Sequence, residues 1–185
     1  MAVSLPSAPE GEDRMTSFTT VQTAAMQRAL RAAACPDAPP GPNPRVGCVI
    51  LSPDGGILAE GHHRGAGSAH AEVDALANLA ATGASARGAT VLLTLEPCNH
   101  QGRTGPCVKA LLDAGVAEVI YAQDDPTEQA GGGAAALEAA GVRVRRGLCA
   151  QEAARLNRPW LLAVTRGRPM VTWKLAATLD GRIAA

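Results

Sequence analysis

Every histidine in this chain lies between residues 62 and 100, and two of its five cysteines, Cys98 and Cys107, stand at the end of that window or just past it. Imidazole nitrogen and thiolate sulfur together suit zinc. A fold that uses these residues must bring three separate segments to one point. The pattern that sets those segments is His70-Ala71-Glu72, then Pro97-Cys98, then Cys107 nine positions further on.

The segments between alternate in periodicity. Thr20 to Ala34 places Val21, Ala24, Ala25, Ala29 and Leu30 at helical spacing, and five prolines between residues 35 and 45 then force an irregular loop. Val46 to Leu51 and Ile57 to Glu60 flank the turn Pro53-Asp54-Gly55-Gly56 and read as a β-hairpin. Ala71 to Ala81 reads as a helix, Thr90 to Leu95 as a buried strand and Cys107 to Ala114 as a helix. A strand is expected over Val116–Ala122, a helix from the Gly131–Gly133 run through Ala140, and a strand at Val142–Val144 with Arg143 and Arg145 on its solvent side. Residues 151–163 read as helical and Pro169 to Leu175 as a last strand. Strands alternating with helices imply an α/β sandwich around a mostly parallel sheet.

Composition removes several classes. Lys+Arg and Asp+Glu are both 17, so no global field draws nucleic acid or an anionic membrane, and aromatics at 2% leave no stacking platform for single strands. No apolar run reaches the ~18 residues of a membrane span. The first 20 residues are polar and lack the basic start and apolar centre of a secretory signal, so a cytoplasmic location is expected. Residues 1–18 read as a disordered tail, with Met15 a second candidate start. In a reducing compartment the isolated Cys35, Cys48 and Cys149 are ordinary free thiols.

Three protein ligands, His70, Cys98 and Cys107, leave the fourth tetrahedral position of zinc for water, the arrangement of catalytic sites. Glu72 beside that water suits proton shuttling: it takes a proton as the oxygen attacks and delivers it to a departing amine. Residues i and i+2 point apart on a regular helix, so His70 must lie just before the helix that contains Glu72. A structural zinc site would want a fourth ligand, for which His63 or His100 is available, and would have no use for Glu72. His-x-Glu followed by Pro-Cys-x-x-Cys is the zinc deaminase signature, here with the second cysteine displaced.

These residues resemble the deaminase domain of the bifunctional deaminase/reductase family of riboflavin biosynthesis. The markers are Asn43-Pro44 with Val46-Gly47, His70-Ala71-Glu72-Val73, Thr94-Leu95-Glu96-Pro97-Cys98, Gly102-Arg103-Thr104 with Cys107, and Leu156-Asn157. The resemblance implies a cytidine deaminase-like, three-layer α/β/α sandwich with a mixed, mostly parallel sheet of about five strands. It implies one Zn2+ per chain on His70, Cys98 and Cys107, Glu72 as the catalytic acid–base, and a substrate site of Asn43, His63, Ala71, His100, Arg103, Asp125 and Thr127. The implied reaction is hydrolytic deamination of 2,5-diamino-6-ribosylamino-4(3H)-pyrimidinone 5′-phosphate to 5-amino-6-ribosylaminouracil 5′-phosphate and ammonia. The partner is that small phosphorylated aminopyrimidine, with neither nucleic acid nor membrane, and the implied assembly is a homo-oligomer, dimer or tetramer.

The chain departs from the family pattern at three places. Asn99 and Gly105 replace residues of the inter-cysteine loop. Thr127-Glu128 stands where the family has Asn-Pro, which keeps open a second reading, a paralogue acting on another aminopyrimidine, nucleoside or pterin-like amine. Lys174 to Ala184 resembles the opening of the family's reductase domain. The expected organisation is therefore a tail over 1–18, a deaminase domain over 19–166 and a segment over 167–185 opening a second domain, with no nicotinamide cofactor and no reductase activity.

Overall fold

The computed structural model describes residues 17–36, 41–100, 105–127 and 130–183; most of the N-terminal tail, and Arg103 and Glu128, lie outside them. Thr19 opens the first helix, α1 (Thr20–Ala33): its hydroxyl accepts from the Gln22 N–H, and the Gln22 side chain accepts from the Thr19 N–H in return. The hairpin follows as β1 (Gly47–Leu51) and β2 (Ile57–His62), then α2 (Ala71–Ala81), β3 (Thr90–Leu93), α3 (Cys107–Asp113) and β4 (Glu118–Tyr121). The remainder is α4 (Gly133–Ala139), β5 (Arg143–Arg146), α5 (Ala150–Leu156) and α6 (Arg158–Arg166).

The five strands form one sheet in the order β2-β1-β3-β4-β5. β1 is antiparallel to both neighbours, while β3, β4 and β5 are mutually parallel. Four strands therefore run one way and β1 alone runs the other, the mixed sheet expected. The reversal has a consequence for chemistry. The loops that follow β2, β3 and β4 and the loop that precedes β1 all open at the same edge of the sheet, the edge where ligands collect in open α/β folds.

Strand alternation divides the core in two. Cys48, Ile50, Val91, Leu93, Val119 and Tyr121 face α2, α3 and α4, whereas Val49, Leu51, Leu92 and Ile120 face α1 and α5. Small residues set the spacing of these layers. A Cβ on Gly61 of β2 would lie 2.3 Å from the Ala75 amide nitrogen, so only glycine lets α2 rest on the sheet at this height.

Residues 151–163, read as helical, form two helices: Pro159 has no N–H to continue the ladder of α5, and Asn157 between them turns its side chain to another segment. Two expectations need correcting. No strand forms over 169–175. Val171, Trp173 and Leu175 are exposed, and beyond α6 the pairing among the described residues is a bridge between Ala177 and Ile183. An alternating pattern without a neighbouring strand gains no ladder. Arg145 is not a free solvent-side charge: it pairs with the buried Glu118 at 2.8 Å and lies over the Phe18 ring at 4.9 Å.

Candidate metal and substrate site

His70 is the N-cap of α2, with extended backbone (φ −69°, ψ 159°), and Glu72 is in the first turn. The pair meets the requirement that its spacing imposes, because His70 has not yet entered the helix. Cys107 is the first residue of α3. Its N–H donates to the Cys98 sulfur at 3.5 Å and the Val108 N–H to the Cys98 carbonyl at 3.2 Å, so both cysteine segments are tied at their backbones.

His70 Nδ1 lies 3.5 Å from Cys98 Sγ and 3.3 Å from Cys107 Sγ, and the three ligand atoms fall within 4.8 Å of one another. Ligands at the usual ~2.0–2.1 Å (nitrogen) and ~2.3 Å (sulfur) on a tetrahedral zinc stand roughly 3.6 Å apart. The cluster fits zinc. Its electrostatics agree. The Cys107 thiol hydrogen bond holds Cys98 well below the ordinary thiol range, and the same contact, with burial, pushes Cys107 up. Two thiols sharing one proton in this way give up the second readily only to a cation. The hydrogen bond to Cys98 also raises His70. Glu72 is buried at 4% exposure, and that desolvation is the main cause of its raised pKa.

His70, Glu72 and Cys98 line a cavity of about 310 Å³, together with Asn43, His63, Ala71, His100, Asp125 and Thr127. Every expected site residue among those described thus lines it or, as with the fully buried Cys107, lies behind its wall. Arg103 falls outside the described residues.

Individual roles differ from one another more than the sequence suggested. His63 Nδ1–H donates to the Ala69 carbonyl at 3.0 Å, which leaves Nε2 to accept from Asn43 Nδ2 at 2.9 Å. Both ring nitrogens are used, so His63 is not a fourth metal ligand; it fixes Asn43 through its Nδ2. Asp125 Oδ1 accepts from the Thr127 N–H at 2.9 Å and from its hydroxyl at 2.6 Å, an arrangement in which Thr127 orients the carboxylate. His100 Nδ1 is buried without a partner among the described residues. A buried unpaired ring nitrogen beside a cavity is costly unless a ligand meets it.

Three further residues were not given roles at the sequence level. Glu96 Oε1 accepts from the Gly132 and Ala134 N–H groups at 3.1 Å and Oε2 from the Asp125 N–H at 3.3 Å, so one buried carboxylate joins the Cys98 segment to α4 and to the Asp125 loop. Gly133 permits this, since a Cβ there would lie 1.8 Å from the Pro97 carbonyl oxygen. Asn157, only 2% exposed, accepts from the Arg45 N–H at 2.8 Å and donates to the Arg45 carbonyl at 2.9 Å. It pins the loop that carries Asn43 across 112 positions of sequence. Trp160 of α6 lines the cavity. The Glu96 and Asn157 signals were present as motif letters; the Trp160 signal was not.

The profile described as the cytidine and deoxycytidylate deaminase zinc-binding region matches residues 19–123. The riboflavin biosynthesis protein RibD of Mycobacterium tuberculosis is 50% identical over 145 residues, 78% of this chain and 42% of its own length. RibD of Escherichia coli K12 is 48% identical over 86% of this chain and 42% of its own. The crystal structure of the diaminohydroxyphosphoribosylaminopyrimidine deaminase/5-amino-6-(5-phosphoribosylamino)uracil reductase of Thermotoga maritima superposes with a TM-score of 0.84 at 37% identity, covering 89% of this chain and 47% of that one. The chain therefore spans less than half the length of these three relatives.

Proposed function

From the premise that this chain belongs to the cytidine and deoxycytidylate deaminase zinc-binding family, we propose that it hydrolyses the 2-amino group of 2,5-diamino-6-ribosylamino-4(3H)-pyrimidinone 5′-phosphate, releasing ammonia and the 5-aminouracil product. The observation that carries the reading is the buried Glu72 carboxyl placed one helical turn or less from a His/Cys/Cys zinc cluster at a ligand-sized cavity. The RibD relatives at about half identity point to riboflavin biosynthesis, and the Thermotoga maritima enzyme at 37% identity supplies the substrate class.

Zinc, when bound by His70, Cys98 and Cys107, supplies electrostatic activation of the attacking water. Glu72 takes that water's proton and hands it to the leaving amine. A carboxyl whose pKa burial raises is suited to both halves of the transfer. Asn43, held by His63, presents its carbonyl oxygen to an N–H edge of the ring. Asp125, oriented by Thr127, and His100, whose Nδ1 has no partner among the described residues, face the remainder of the substrate. Arg103 is assigned to the phosphate, for which a guanidinium is well shaped.

Among the described residues no helix is long and apolar enough to cross a membrane. The proposal includes a cytoplasmic homo-oligomer, dimer or tetramer. Light scattering that returns a monomer would remove the assembly without touching the chemistry. The substrate is tested by ammonia release from the zinc-loaded protein on the phosphorylated aminopyrimidine, its dephosphorylated form and cytidine nucleotides. Turnover confined to the first supports the reading. Preference for the second supports instead a paralogue with another amine substrate, which the Thr127-Glu128 departure favours.

A further inference from the structure

Trp160 stands apart from the rest of the cavity wall. The other apolar lining residues are aliphatic, Pro44, Val46, Leu95 and Ala130 among them, and no other Trp, Tyr or Phe among the described residues reaches the cavity. The backbone that carries the indole is anchored at the start of α6. α6 begins at Arg158, its Leu161 N–H donates to the Asn157 carbonyl at 2.8 Å, and Pro159 in its first turn pre-sets the backbone. Asn157 in turn is clamped on both sides of the Arg45 backbone. The third residue of α6 is thus locked in register with the loop that carries Asn43, two residues before Arg45. The remainder of α6 buries no residue, so the helix contributes little to the core. Its best-anchored part is the turn that carries Trp160, which lines the cavity.

We infer that Trp160 is a substrate-binding residue that stacks on the heteroaromatic ring, with Asn43 reading the ring edge beside it; the inference rests on the aminopyrimidine reading of the cavity. A flat ring of delocalised electrons gains from an indole face what an aliphatic wall does not give. The contact selects for any planar amine and is indifferent to the phosphate, which separates its role from that assigned to Arg103. It is a binding contact made in ground and transition state alike, so it acts on KM and leaves kcat nearly unchanged.

The chain has two tryptophans, and Trp173 is 82% exposed. Trp173→Phe therefore yields a zinc-loaded protein in which Trp160 is the single indole. Its emission should be quenched by the aminopyrimidine nucleotide and left unchanged by ribose 5-phosphate. Trp160→Ala should raise KM by roughly 5- to 150-fold, the range for losing one base–aromatic stack, with zinc content and kcat retained. Trp160→Phe should restore most of the affinity and Trp160→Leu should not. Equal KM values for the Ala variant and the unmodified protein overturn the inference and leave the deaminase reading intact. Equal quenching by ribose 5-phosphate does the same, and needs no variant of Trp160 to fold. A protein that neither binds nor deaminates any aminopyrimidine overturns both.

Discussion

The metal cluster and the substrate-facing wall of the cavity are built on different plans. In the cluster, His70, Glu72, Cys98 and Cys107 come from two helix starts and the segment after one strand, and the backbone of the Cys107 segment is bonded to Cys98. On the wall, Asn43 depends on His63, Asp125 on Thr127 and Glu96, and the Asn43 loop and Trp160 on Asn157. The chemistry of the metal end is carried by the local spacing of its ligands. The substrate end is a chain of side chains holding other side chains. The lesson is that substitutions at the first should act as switches, and at the second as graded losses of affinity.

The largest effect expected is at the metal cluster. Cys98→Ser or His70→Ala should remove most of the zinc and with it all measurable turnover, read by elemental analysis beside an ammonia assay. Full zinc in both variants would contradict the ligand assignment. Arg103→Ala comes next. Losing a charge-assisted contact of about 1.5–3 kcal/mol predicts a KM raised roughly 10- to 150-fold on the phosphorylated substrate, and little change on the dephosphorylated one. Equal losses on both would detach Arg103 from the phosphate.

Asn157→Ala tests whether the substrate end is indeed held at long range. It strips the Arg45 N–H and carbonyl of their partner, at a cost of about 2 kcal/mol in stability and a melting temperature lower by roughly 4–8 °C. KM should rise while zinc stays bound. A variant that lost zinc as well would show that the two ends are not separable. Thr127→Val removes a single hydroxyl bond to Asp125 and should raise KM by roughly 2- to 10-fold. The smallest effect is expected where neither plan applies. The exposed Lys109–Asp113 pair on α3 should contribute under ~0.5 kcal/mol, and Lys109→Ala should leave both melting and kinetics unchanged.

The same division explains what the sequence disclosed. The His-x-Glu and Pro-Cys spacings and the strand–helix alternation carried the metal end and all five strands of the sheet, because side-chain period and cap position are local properties. The α5–α6 break was missed although Pro159 marks it, since the apolar pattern of residues 151–163 runs on across the proline. The strand expected at 169–175 had the alternation and lacked a neighbour to pair with, which no local pattern reports. Arg145 read as a solvent charge because its partners, Phe18 and Glu118, are remote in sequence. Trp160 was invisible for a related reason: only the clamp between Asn157 and Arg45 brings its helix to the cavity.

The central claim is that Glu72 moves the protons at a zinc-holding site, and Glu72→Gln tests it most directly. Glutamine keeps the size and much of the hydrogen bonding of the buried side chain but cannot cycle a proton. With zinc content and melting temperature measured on the same preparation, the account predicts full metal, an intact fold and ammonia release lowered by at least the ~10²–10⁴-fold of general acid–base catalysis. Near-unmodified turnover by the metal-loaded glutamine variant would contradict it.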